Sequence, residues 1–103
     1  MSQKKDVLLL GRDRKETAIR TPVQQDHLTV FNLSVAPDQH WVALFLKTWE
    51  TRLPELPAEF ATIRPKFDER KLTVDHSPGL DGGRLERHLR TIIAITNKIS
   101  LIR

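Results

Sequence analysis

The chain has 103 residues, 39% of them hydrophobic and 29% charged, with 17 basic against 13 acidic side chains and a formal charge of +4. That length holds one domain with a single core, so residues 1–103 read as one unit with 1–22 as an N-terminal hairpin or flexible arm. Cysteine is absent, which excludes disulfides, thiolate nucleophiles and Cys-type zinc sites.

In chain order, the first apolar run is Val7-Leu8-Leu9-Leu10, ended by Gly11. It is shorter than the apolar core of about 7–15 residues in a secretory signal. No stretch approaches the roughly 20 apolar residues that span a bilayer. The expected location is the cytoplasm, with no membrane partner. Arg12-Asp13-Arg14-Lys15 reads as a charged turn, and Thr17 to Thr21 alternates weakly before Pro22. The segment is expected to form two short strands, with a loose basic arm as the alternative, because termini order only when tied down.

Leu28 to Val35 is the clearest strand, with Phe31, Leu33 and Val35 on one face and Leu28 and Val30 on the other. Pro37 suits a first helical position and Asp38 a first turn. From Asp38 to about Leu53 the apolar residues Trp41, Val42, Phe45, Leu46, Trp49 and Leu53 share one broad helical face, opposite His40, Lys47 and Thr51. Pro54 and Pro57 end the pattern. Phe60 to Phe67 and Leu72 to His76 are expected strands of a hairpin turning at Asp68-Glu69-Arg70, with Pro65 marking a sheet edge or bulge. Ser77-Pro78-Gly79 breaks the chain, and Asp81 is placed to cap a last helix. In that helix Leu85, Leu89, Ile92, Ile93, Thr96 and Ile99 fall on one face, opposite Arg84, Arg87, Thr91 and Lys98, to about Ser100.

The fold class is therefore α+β: a two-layer sandwich of a small, mostly antiparallel sheet with two amphipathic helices on one face, in the order β-hairpin then β-α-β-β-α. The β-α-β-β-α order resembles part of a ferredoxin-like domain. That fold hosts many functions, so the resemblance implies a layer arrangement and no activity. An apolar second sheet face on so small a domain calls for cover from the N-terminal segment or from a second copy of the chain.

Reactive groups do not converge in the sequence. His27, His40, His76 and His88 form no HxH or HExxH pair, and no metal or cofactor site is expected. Asp75 and His76 are neighbours on a strand and so project to opposite faces. No serine lies in GxSxG. Gly79 to Gly83 lacks the spacing of a phosphate-binding loop, and its glycines serve a sharp turn. Trp41, Phe45 and Trp49, four residues apart, read as core.

Charge is uneven along the chain, at +3 over residues 1–20, −3 over 21–60 and +4 over 61–103. The candidate polyanion-binding residues are Arg84, Arg87, Arg90 and Lys98 of the last helix with Arg70 and Lys71 of the hairpin, because arginines at helical spacing present bidentate donors to phosphate. Lys66, Arg12, Arg14 and Lys15 would extend that set. The reading that accounts for most of this is a non-catalytic module acting through protein–protein contacts, with self-association as a homodimer among them. A nucleic-acid-binding accessory protein using the last helix is the alternative, and a small hydrolase or nuclease built from dispersed His and Asp residues is the third.

Overall fold

The computed structural model describes residues 6–16, 28–56, 60, 63–76 and 82–102. Alternating apolar residues give four strands: β1 (Leu9–Arg12), β2 (Leu28–Leu33), β3 (Arg64–Asp68) and β4 (Lys71–Asp75). They form one sheet in the order β1-β2-β4-β3, each neighbouring pair antiparallel. Two helices, α1 (Gln39–Arg52) and α2 (Gly82–Ile102), complete the α+β sandwich. β2 and β3 are thus parallel to each other with β4 between them, and α1 connects them, a split β-α-β unit. In a ferredoxin-like domain the strand beside the first of these comes last in the chain. Here β1 fills that place from the N-terminal side.

Register decides what each face carries. Phe31 lies opposite Leu72, and Leu72 opposite Phe67; Val74 sits between Thr29 and Pro65. Phe31, Leu33, Leu72 and Val74 are buried against the inner residues of α1 (Trp41, Phe45, Trp49) and of α2 (Leu85, Leu89, Ile92, Ile93). Each such side chain contributes about 1.5–3 kcal/mol by leaving water. Aromatic rings tie α1 to the sheet: Phe67 meets Trp41 and Phe45 edge-on, at 5.7 and 4.9 Å between centroids.

The outer sheet face carries Val30 opposite Thr73 and Asn32 opposite Lys71. Val30 is wholly buried and Thr73 nearly so. The chain's own residues 13–16 begin a helical turn beside this face. The Asp13 N–H donates to the Val30 carbonyl at 2.7 Å, and the Lys71 ammonium donates to the Asp13 carboxylate and to Asn32 Oδ1. The N-terminal segment therefore supplies part of the expected cover, while Leu8 and Leu10 stay 56% and 62% exposed.

Several boundaries differ from expectation for physical reasons. The observed partner of β1 is β2; Thr17 to Thr21, expected as its hairpin mate, lies outside the described residues, as does Asp81. β1 runs through Gly11 to Arg12 over a bulge, with Leu9 opposite Leu33 and Gly11 already opposite Asn32. Gly11 has φ 146, a conformation that favours glycine. The bulge turns Arg12 toward α2, where its guanidinium lies 3.9 Å from Glu86. Asp38 is the cap of α1 and not a residue of its first turn: its backbone is extended and its carboxylate accepts from the Trp41 N–H at 2.7 Å. Pro37 consequently precedes the cap. β3 starts at Arg64, four residues later than expected, because the Ile63 N–H is spent on the Phe60 carbonyl and not on a neighbouring strand. Pro65 does sit on an edge strand, as a residue without an N–H must.

The other edge of the sheet, β1, is covered by side chains of α2. The Asn97 amide accepts from the Val7 N–H at 3.1 Å and donates to the Val7 carbonyl at 2.9 Å, replacing a neighbouring strand at that residue. The same Asn97 oxygen accepts from the Trp41 indole at 2.9 Å. Arg90 donates to the Leu9 carbonyl at 2.7 Å. Edge groups handled this way offer no template for another strand. Among the described residues, no helix is long and apolar enough to cross a membrane.

Candidate functional site

α1 and α2 lie antiparallel: Trp41, early in α1, bonds Asn97, late in α2, while Arg52 at the end of α1 acts on His88 in the first half of α2. Their inner faces are spent on the core. The seam between them is open on the solvent side. There Leu44, Ile95 and Ile99 floor a groove of about 370 Å³, with Lys47, Thr48, Thr51 and Arg52 along its α1 wall. A second hollow of about 260 Å³ is formed by Arg84, Arg87, His88 and Thr91. Arg84, Arg87, Thr91, Ile95 and Ile99 follow each other at three- or four-residue steps, so the two hollows share one flank of α2.

The chemistry of the seam is lopsided. Among the described residues, no carboxylate lines either hollow. Arg52 lies 4.0 Å from the exposed Glu55. Glu86 is turned toward β1, held by Arg90 at 3.1 Å and near Arg12. Glu50 projects with Ala43 and Leu46 from the other flank of α1. The hydroxyls of Thr48, Thr51 and Thr91 donate back to the carbonyls of Leu44, Lys47 and Arg87 in their own helices. They therefore present oxygen acceptors and methyl groups to the seam.

His88 is half-buried, its ring edge-on to Phe60 at 5.1 Å. Burial, then the charges of Arg84, Arg87 and Arg52, push its pKa below the ordinary histidine value. Its surroundings thus favour the neutral imidazole over the charged form.

The six residues singled out from the sequence are distributed over several surfaces. Arg84 and Arg87 meet in the hollow. Arg90 is committed to Glu86 and the β1 edge. Lys98 is exposed on α2 and lines neither hollow. Arg70 sits in the β3–β4 turn, where its carbonyl accepts from the Leu33 N–H. Lys71 lies on the outer sheet face, bound by Asp13 and Asn32. The Asp13 carboxyl is held below its ordinary range by the Glu16 backbone N–H first and by Lys71 next. Lys47, Arg52 and His88 were not legible as neighbours of Arg84 and Arg87. Only the antiparallel helix pairing brings the end of α1 beside the start of α2.

Among the described residues, the other candidate groups do not assemble into a reactive set. His76 Nε2 lies 2.8 Å from Thr29 Oγ1, and Asp75 is exposed on the opposite face. Among the described residues there is no cluster of three or more His, Cys, Asp or Glu side chains fit to hold a metal ion. A further apolar hollow, between α1 and β3, is lined by Pro37, Val42, Leu46 and Phe67 with polar residues at its margin. Comparison with family models, with curated proteins and with solved structures finds no match for the chain.

Proposed function

We propose that this chain is a non-catalytic binding module whose helix layer docks a partner protein. One observation carries the reading: the solvent side of the α1–α2 seam is an open groove with an aliphatic floor and polar walls, the arrangement that mixes apolar anchoring with a polar rim in protein interfaces. The nucleic-acid alternative draws support from Arg84 and Arg87. It lacks stacking platforms, since Phe31, Phe45, Phe60, Trp41 and Trp49 are buried and Phe67 packs under α1. Pairing of the groove with its own copy about a two-fold axis would set Lys47, Arg52, Arg84 and Arg87 against like charges, which favours a different protein as the occupant.

A photo-crosslinking side chain placed at Thr48, in the groove, and at Arg64, on the β3 edge, tests this in cells. The expected result is one discrete adduct from position 48 and none from 64, with the adduct lost in a Lys47→Glu variant that keeps the native circular dichroism spectrum. Equal labelling from both positions, or an adduct indifferent to Lys47→Glu, overturns the reading. Light scattering on the purified chain shows whether the partner is a second copy.

A further inference from the structure

We propose that residues 12–16 are a strap on the outer sheet face, latched by the Asp13 carboxylate and the Lys71 ammonium and released as one unit when either charge is lost. The first argument is the double duty of Asp13. Its Oδ1 accepts from the Glu16 N–H at 2.9 Å and closes the local turn. Its Oδ2 accepts from the Lys71 ammonium on β4, which also donates to Asn32 Oδ1 on β2. The Asp13 N–H in turn donates to the Val30 carbonyl at 2.7 Å. One side chain thus holds both the turn and its attachment to the sheet, so loss of its charge weakens the two together.

The second argument is the contrast on either side of Gly11. Before it, Val7 is tied to α2 by the neutral Asn97 amide and Leu9 by Arg90. After it, the side chains that hold the chain pair charge with charge: Asp13 with Lys71, and Arg12 at 3.9 Å from Glu86. Gly11 itself sits at the β1 bulge with φ 146 and open space where a side chain would stand, the kind of position that absorbs backbone change at a hinge. The third argument is electrostatic. The Asp13 and Lys71 side chains are only 16% and 30% exposed, so salt screens the pair less than a surface pair. Lys71 is the charge that faces Asp13 from β4, and Asn32 on β2 is neutral; Arg12 turns toward Glu86 on α2, while Arg14 and Lys15 are exposed. The Glu16 N–H first and Lys71 next hold the Asp13 carboxyl below its ordinary range. The latch is therefore shut at neutral pH and opens as pH falls through that lowered value. Leu8 and Leu10 are already exposed, whereas Val30 is buried. Release of the strap adds ground around Val30 to that apolar patch, so the latch sets how much apolar surface this side of the sheet presents.

The test is residue-resolved hydrogen exchange on the full chain, corrected for intrinsic rates, in wild type, Asp13→Asn, Lys71→Gln and the two combined. Asparagine at position 13 still caps the turn but brings no charge to Lys71. Lys71→Gln lies on β4, so its effect on the Glu16 amide reads the latch and not the turn. Each single variant is expected to speed exchange at the amides of residues 13 and 16 by at least about tenfold, the scale of one lost charge-assisted hydrogen bond. The double variant should exchange no faster than the faster single one, because one unit has already opened. The Val7 amide, held by Asn97, should keep its protection in all of them. Three results overturn the proposal. Unchanged exchange at Glu16 in Lys71→Gln would make the pair a passive surface contact. Additive effects in the double variant would make its members independent anchors. Equal loss of protection at Val7 would make residues 12–16 part of one cooperative unit with no separate strap.

Discussion

Replacing Asn97 by alanine tests the packing logic of the fold most directly. Its amide takes part in three hydrogen bonds, two with the Val7 backbone and one with the Trp41 indole. Each contributes about 0.5–1.5 kcal/mol net, and the groups left behind are partly withdrawn from water. The expected loss is therefore about 2–4 kcal/mol. For a domain of this size that lowers Tm by roughly 8–32 °C, at about 4–8 °C per kcal/mol. Urea denaturation followed by tryptophan fluorescence measures the loss. Native-state hydrogen exchange locates it, since the Val7 amide should lose most of its protection. An Asn97→Asp variant keeps both accepted bonds; its ionised carboxylate cannot donate to the Val7 carbonyl whereas the protonated carboxyl can, so its loss should fall between wild type and alanine and shrink at low pH. Stability within about 0.5 kcal/mol of wild type for Asn97→Ala, the ordinary scatter of surface substitutions, together with a still-protected Val7 amide, would refute the argument that this side chain closes the β1 edge.

Three other outcomes follow from the same structure. Trp49 is buried with its indole N–H unpartnered, whereas the Trp41 indole bonds Asn97, so Trp41→Phe should cost about 1–2 kcal/mol more than Trp49→Phe in paired denaturation curves; equal costs would contradict it. Glu69 turns the β3–β4 hairpin with φ 53, a conformation that costs a non-glycine residue about 1 kcal/mol or more, so Glu69→Gly should raise stability by up to that amount. Folding lowers the His88 pKa through burial and the charges of Arg84, Arg87 and Arg52. In the window below the ordinary value near 6.5 the unfolded chain then binds more protons, and stability should fall as pH drops through that window. A His88→Gln variant should flatten that slope, and NMR titration of the imidazole should place its pKa below the free value.

Periodicity carried most of the architecture into view. The alternation around Phe31 and the apolar stripe from Trp41 to Leu53 mark elements whose burial pattern is set by one face, and those elements stand within a few residues of where the pattern puts them. Ends were less legible because hydrogen bonds outside the pattern decide them, as the Asp38 cap and the Phe60–Ile63 turn illustrate. The pairing of β1 with β2 was hidden by the residues between them. The site was half visible. Arg84 and Arg87 stand out at helical spacing, but Lys47 and Arg52 sit more than thirty residues earlier and join them only through tertiary packing.

The bond between Val7 and Asn97 spans ninety positions of the chain, and it has a temporal consequence during synthesis. Until the residues near 97 have left the ribosome, the backbone groups at Val7 and Leu9 have no cover, and the nascent chain carries an open strand edge of the kind that recruits neighbours. Docking of α2 closes that liability, so vulnerability to misassembly is concentrated before α2 docks.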